Sequence, residues 1–500
     1  MCTWVIFAFV NRLSHSPSFR FGLRAGREKS KMYLTILRKE LRQLIRDRWL
    51  CGGLVLFVVL VLASLMGGIA TYQDVAARQK SLQDDARQDW LSQDARTGHS
   101  ATHHGVLLYK VFSPLFAFDA GSDPVLGTTV RLESHNPFPM TKPLAVGSIH
   151  PLNFDVSTPA LLLQLVFPLL VILLGFSAVS GERDQGTLPL VLSSGVTWRR
   201  WMLAKMAVSL TIMLAVLLVP LAWLAFWGCG VTTEAGISTS DLMSRVVPLA
   251  LCTLLFLGGW SFVSLAVSSR ASSSKLSLIM LLALWAGWSI VIPRLAVEFA
   301  QQRVPLPLAE DLNREREEMA QYGHEGGSVY HKLRGEVNEK YMQEYGVSSA
   351  RELPLNMNAH YLTAVEEFTD EIYDKQAAQL DRLFAEQGRF VDTVSWVSPY
   401  LALRSLSTAF SGTDRVHHDA FYQAGEQYRR MMVRAMNDFD AINVDRKKPG
   451  PELWASVPPF DYRFPKIDIE MQRLWGPLIV LLAWFLGTGL WATLAPRSRT

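Results

Sequence analysis

Histidine, acidic and basic residues occur in short groups along this 500-residue chain, and the first question is what chemistry their spacing allows. HEGGSVYH, from His324 to His331, carries two imidazoles separated by a pair of glycines, which does not place two zinc ligands on one helical face. His103-His104 and His417-His418 are adjacent pairs, and neighbouring side chains diverge in a helix or strand, so both read as solvated loop histidines. No metal is assigned to the chain on this basis. A GxSxG elbow, an HExxH pair and a GxxxxGK[ST] phosphate loop are all lacking, so no catalytic residue is named and the chain cannot by itself hydrolyse ATP in the P-loop manner. Cys2, Cys51, Cys229 and Cys252 form neither a disulfide framework nor a CxxC motif.

The elements that would have to position any site are apolar. With 49% hydrophobic residues and 15 Trp, the composition is that of a membrane protein. A helix needs about 20 mostly apolar residues to cross the hydrocarbon. Six stretches suffice, approximately 51–70, 159–180, 206–228, 246–267, 276–293 and 474–496, and none of them contains Asp, Glu, Lys or Arg. Segments 1–50, 181–205, 268–275 and the C-terminal tail together hold 19 basic and 5 acidic residues, a difference of +14. Segments 71–158, 229–245 and 294–473 hold 30 basic and 40 acidic, a difference of −10. The basic excess marks cytoplasmic flanks, so both termini are expected in the cytoplasm and the long segments outside. The opening MCTWVIFAFVNRL is too short to span and lacks a small-residue cleavage site, so it does not read as a cleaved signal peptide. Met32 opens MYLTILRKELRQLIRDRWL and is an alternative start.

The expected fold class is therefore an all-α polytopic membrane protein with six transmembrane helices and two extracytoplasmic domains. The first, 71–158, begins with the polar helical stretch DVAARQKSLQDDARQDWLSQDAR, followed by VLLYKVF and TTVRLES as short strands. In the second, 294–473, Tyr361, Val365, Phe368, Ile372, Leu380 and Leu383 recur near helical spacing, which predicts a mainly helical cap ending in the proline-punctuated PELWASVPPFDYRFP.

Two segments on the basic side stand out. In residues 32–48, Leu34, Leu37, Leu41, Leu44 and Ile45 share one helical face while Arg38, Lys39, Arg42 and Arg46 occupy the rest, the pattern of a helix lying in the headgroup layer. GERDQGTLPLVLSSGVTWRRWMLAK leaves the second span with Glu182, Arg183 and Asp184, turns at Gly186-Thr187, and exposes Leu188, Leu190, Val191 and Leu192 before Thr197 caps the next helix. An apolar strip bracketed by charges, with nothing large beside it, is a docking surface for a partner.

This loop motif, followed by a small-residue turn and a basic start to the next span, resembles the membrane subunits of ABC-2-type transporters. SPYLALRSLSTAFSGTDRVHHDAFYQAGEQYRR, GHSATHHG and VRLESH resemble the permease group that carries a large DUF3526-like domain between its last two spans. The resemblance runs from about Met32 to the C-terminus. It implies a six-helix half-transporter with an interfacial helix at Arg38, Lys39, Glu40 and Arg42. It also implies an ATPase-coupling contact at Glu182, Arg183, Gly186, Thr187 and Leu188. The implied partners are a separate ABC ATPase, which uses the ATP and Mg, a second permease copy or relative, and the lipid bilayer of the bacterial inner membrane. No cofactor bound by this chain and no nucleic acid are implied. Gln164, Trp260, Ser261, Ser264, Trp285, Trp288 and Ser289 are candidates for a polar or aromatic translocation path among the spans. The size of the soluble segments departs from a minimal permease, which raises a mechanotransmission subunit acting on a periplasmic partner as an alternative, ahead of a membrane-anchored enzyme.

The charge split generates a direct test. Reporter fusions after Gly326 and after Thr500 are expected to report the outside and the cytoplasm respectively, and a cytoplasmic signal from Gly326 overturns the topology.

Overall fold

A computed structural model describes residues 46–135, 158–232, 236–323, 327–445, 448–467 and 471–494, together with Thr35, Arg38, Lys39 and Arg42. His324, Gly326, Glu40 and Glu234 lie outside the described residues, as do 1–31 and the apolar face of the interfacial helix.

Among the described residues, six helices are long and apolar enough to cross a membrane. They are α1 (Arg48–Leu91), an interrupted α3 (Pro159–Asp184), α4 (Trp198–Val231), α5 (Thr239–Arg270), α6 (Ser274–Arg303) and the last, α13 (Met471–Thr493). Large apolar residues such as Leu56, Leu218 and Phe226 are exposed along them, as befits a multi-pass membrane protein whose outer surface is wetted by lipid rather than water. α5 is the most enclosed, running through the bundle in contact with α3, α4, α6 and α13.

Two spans depart from α geometry at a proline. Residues Leu162–Val166 and Gly287–Val291 are π-helical, and each run is followed by a proline, Pro168 and Pro293. Proline lacks the N–H that would bond four residues back and crowds that carbonyl, and the wider turn relieves the crowding. In lipid the carbonyls of these irregular turns need partners. Trp285 donates its indole N–H to the Leu165 carbonyl at 3.1 Å, and Ser398 donates its hydroxyl to the Trp288 carbonyl at 2.5 Å.

Both long soluble segments lie at one end of the bundle and share a core. The polar stretch after the first span is not a separate helix: α1 continues unbroken for 44 residues, because no Gly or Pro interrupts the chain between Ala70 and Leu91. A short helix, α2 (Gly98–Thr102), leads to β1 (Val106–Tyr109), which pairs antiparallel with β2 (Thr129–Leu132) in the register Val106 to Leu132 and Leu108 to Val130. Those four apolar side chains face inward onto the second segment. That segment is helical: α7 (Ala309–Tyr322), α8 (Val329–Tyr345), α9 (Met357–Val394), α10 (Pro399–Ser411), α11 (Arg415–Ile442) and α12 (Pro451–Ser456). Tyr361, Ile372 and Leu380 of the anticipated stripe are buried, and Glu366 and Gln376 are buried beside them. Trp90 and Trp454 clasp the two segments, each indole donating to a backbone carbonyl beside the other, at 2.9 and 3.3 Å.

His417 and His418 are not the solvated loop pair that adjacency suggests. Asp414 caps α11 by accepting from the His417 amide, so both histidines open a helix whose apolar face is packed. His417 is bonded to Asp414 through Nδ1 at 2.6 Å, and burial, with Lys110 and Arg415 nearby, pushes His418 down to about 3. Arg245 of α5 is wholly buried beneath them, bonded to Asp241 at 2.9 Å and to the Pro465 carbonyl at 2.6 Å, with its guanidinium over the Phe464 ring.

Lys110 and Asp123 form an ion pair at 2.5 Å with no side-chain exposure on either partner. Removing one partner of such a pair strands a buried charge and costs about 3–5 kcal/mol, whereas an apolar pair is nearly neutral. Lys110→Met is expected to lower the thermal unfolding midpoint of the detergent-solubilised protein, and Lys110→Met with Asp123→Leu to recover most of the loss; no recovery in the double variant contradicts this account.

Candidate functional site

At the opposite end of the bundle the chain leaves α3 through Ser180–Asp184, turns, forms a short helix at Leu188–Ser193 and enters α4. The turn rests on Gly186, whose φ is +69°, a conformation costly for any residue with a Cβ. Thr197 occupies the position before α4, but its side chain makes no capping bond, so the expected cap is not formed.

Glu182 is the knot of this loop. One carboxylate oxygen accepts from Lys39 Nζ at 2.8 Å, and the other accepts from the Thr187 hydroxyl across the Gly186 turn. The Thr187 amide bonds the Glu182 carbonyl at 2.9 Å, closing the turn a second time. Lys39 has helical backbone, as do Arg38, Arg42 and Arg46, so the basic N-terminal segment is joined to the loop by a charge-assisted bond. Lys39 is half-exposed, so the pair orients the loop more than it stabilises the fold.

The neighbouring charges bond back onto the bundle. Arg183 donates to the Ser269 carbonyl at 2.8 Å and to the Ala271 carbonyl, and Asp184 accepts from the amide and hydroxyl of Ser274 at 3.0 and 2.7 Å. Together they clamp the corner between α5 and α6. The Ser268 hydroxyl lies within 3.0 and 3.1 Å of the Val179 and Ser180 amides, which the interruption of α3 would otherwise leave without partners. Leu188 and Val191 pack against a cluster containing Trp201, Met202 and Phe262, while Leu190 is 75% exposed and Leu192 41% exposed. The apolar strip is thus divided, with one half anchoring the loop and the other left facing outward.

Among the spans, the suggested path residues are buried or partly buried, and several converge. Trp260 and Trp288 lie with ring centroids 5.6 Å apart, and Trp484 of α13 completes a triangle at 6.1 and 5.1 Å. Trp484 was not singled out in the sequence; the signal for it is Gly259, since a Cβ there would lie 1.9 Å from the Trp484 indole nitrogen. Trp285 is turned away to the Leu165 carbonyl. Ser261 and Ser264 are buried on α5, and Ser264 bonds its own helix at the Trp260 carbonyl. Gln164 Oε1, Ser289 Oγ and Trp260 Nε1 have no hydrogen-bond partner among the described residues, and Gln164 and Ser289 stand four residues before the two prolines.

The helical segment at the other end can now be placed among known proteins. Residues 315–463 match DUF3526, a domain of unknown function. The match runs from within α7 through α12 and ends two residues short of Pro465, so it contains α10, α11 and the carboxylates of Glu366, Asp370 and Glu426 around Arg429. No curated protein matches the chain.

No side chain lies within 4 Å of a Cβ built on Gly186, so a substitution there acts through backbone strain alone. Gly186→Val is expected to destabilise the turn by about 1–2 kcal/mol, read as faster amide exchange over 182–188 with unchanged exchange in α5. Unaltered exchange in the loop contradicts the role given to this glycine.

Proposed function

We propose that this chain is the membrane-spanning permease subunit of an ABC-2-type transporter, an exporter of the bacterial inner membrane, with both termini cytoplasmic and the DUF3526 segment outside. A separate ABC ATPase docks beneath it and carries the ATP and Mg, and a second copy or a related permease completes the pair. The observation that carries the reading is the Glu182 knot. It joins the basic N-terminal helix to a loop that presents Leu190 and Leu192 at the bundle end opposite the DUF3526 segment. Exposed leucines on a loop braced from within suit a rigid partner, and no described residue covers them.

The inward bonds give the loop a route for force. A partner that displaces Leu190 moves the turn, the turn moves Arg183 and Asp184, and these hold the α5–α6 corner. α5 then reaches Arg245 and the soluble segments at its far end. Substrate would pass the tryptophan triangle, where unpaired Gln164, Ser289 and Trp260 groups offer hydrogen bonds to a polar ligand or to water.

A second reading is favoured by α10. Tyr400, Leu403, Leu406 and Phe410 of this DUF3526 helix belong to the same buried cluster as the spans, so a movement of the spans displaces the soluble segment directly. On that reading the chain transmits force to a periplasmic partner rather than conducting a substrate.

The division of labour is tested with the ATPase. Glu182→Ala removes both bonds of the knot, and Leu190→Asp places a charge on the exposed strip. Both variants are expected to insert normally, to lose copurification of the ATPase and to abolish its stimulation, while the isolated chain hydrolyses no ATP. Wild-type copurification and stimulation in both variants would mean that the loop is an ordinary solvated turn.

A further inference from the structure

Three histidines from two sequence stretches meet where the first soluble segment touches the DUF3526 segment. His99 lies in α2, His103 is the residue at its end, and His135 follows β2. Their Nε2 atoms face one another: His99 to His135 at 3.1 Å and His99 to His103 at 3.3 Å. The three ligand atoms lie within 4.8 Å of one another, with His103 and His135 exposed. Zinc held by imidazoles at about 2.0–2.1 Å in a tetrahedron sets neighbouring nitrogens about 3.4 Å apart.

We propose that His99, His103 and His135 bind one divalent transition-metal ion of the zinc class through these three Nε2 atoms, leaving a fourth position open toward the exposed side.

The outer bonds of the rings give the reason. His135 Nδ1 lies 2.5 Å from a carboxylate oxygen of Glu366, and His99 Nδ1 lies 2.9 Å from Asn437 Oδ1. A carboxylate only accepts, so the His135 Nδ1 carries the proton and its Nε2 presents a lone pair. The Asn437 oxygen assigns the same tautomer to His99. In the neutral rings two lone pairs 3.1 Å apart repel, and a metal ion between them relieves this, as would a second proton on one ring. A carboxylate or amide oxygen behind the ring is the arrangement that orients metal-bound histidine. Three imidazoles without a hard oxygen donor favour zinc, copper, nickel or cobalt over magnesium or calcium.

The surroundings hold the ligands in place before any ion arrives. Asp440 accepts from the amides of Gly98 and His99 at 2.9 and 2.8 Å, docking α2 on α11. Glu366 is itself held by Ser134 at 2.9 Å and Arg429 at 3.5 Å. His135 has φ +57°, and among the described residues it is the non-glycine residue with positive φ. Such backbone is uncommon outside glycine, and it is what aims the ring at the other two. The sequence held one legible signal, the i,i+4 spacing of His99 and His103 on a helix, but not the third ligand or its support. The site stands independently of the transport reading.

The test uses the full chain purified in detergent without a polyhistidine tag and stripped with chelator. One equivalent of Zn2+ is expected to bind, unaffected by excess Mg2+, and Co2+ is expected to give the intense visible bands of a four-coordinate site. His103→Ala and His135→Ala should each weaken Zn2+ binding at least about tenfold, and Glu366→Gln, a positioning change, should weaken it about 10–100-fold and shift the Co2+ bands. His104→Ala, whose ring is bonded to Asp89 instead, should leave binding unchanged. His103 is exposed, so its variant should keep the metal-free unfolding midpoint, which separates lost ligation from lost fold. Substoichiometric Zn2+, Co2+ bands of a six-coordinate hydrated ion, or full binding retained by both His103→Ala and His135→Ala would overturn the proposal.

Discussion

A single buried carboxylate joins the three parts of this protein. Asp119 accepts two bonds from Arg404 at 2.7 Å, one from Ser407 at 2.5 Å and one from the Gly121 amide at 3.1 Å. Its backbone carbonyl accepts from Thr413 at 2.9 Å, and one residue earlier the Phe118 carbonyl receives the Ala160 amide at the start of the second span. A carboxylate without solvent access must be fully paired or it opposes folding by several kcal/mol. Here the pairing is met only when the first soluble segment and α10 are both in place, and the neighbouring Phe118 carbonyl ties in the head of the second span. The soluble segments are therefore built into the end of the bundle and are not suspended above it by linkers.

That arrangement gives α10 a double character. By sequence it belongs to a soluble helical domain, and by packing it belongs to the membrane bundle, where it contacts α5 and α13. Ser398, the residue just before it, donates its hydroxyl to the Trp288 carbonyl in the π segment of α6. The irregularity of the fifth span, imposed by Pro293, is thus what receives the DUF3526 segment. A parallel arrangement holds on the second span, where Trp285 donates to the Leu165 carbonyl within the π segment that precedes Pro168. Proline in these spans creates attachment points for neighbouring elements.

The two ends of the molecule differ in how they are held. At the DUF3526 end, ion pairs such as Arg404 with the buried Asp119 and a broad aromatic core hold the segments together, and such contacts tolerate little relative movement. At the loop end, Lys39 with Glu182 and Asp184 with Ser274 are partly exposed polar contacts around a glycine turn, which exchange with water at small cost. A structure stiff at one end and adjustable at the other is suited to passing a movement along its helices.

The sequence by itself determined the six spans, the two short strands and the helical nature of the segment before the last span. Each depends on local apolar length or periodicity, and both are properties of neighbouring residues. It also marked Gly186-Thr187 as a turn following the charged Glu182, Arg183 and Asp184, since charge, glycine and threonine within a few residues carry their meaning locally. What only the tertiary structure decided is which distant groups meet. Adjacency suggested that His417 and His418 were solvated, yet a capped helix buried them. Trp484 joined Trp260 because Gly259 left it room, and Glu182 found Lys39 across 143 residues of chain. The pairing of a buried polar group depends on the whole arrangement that excludes water from it, and no window of sequence contains that arrangement.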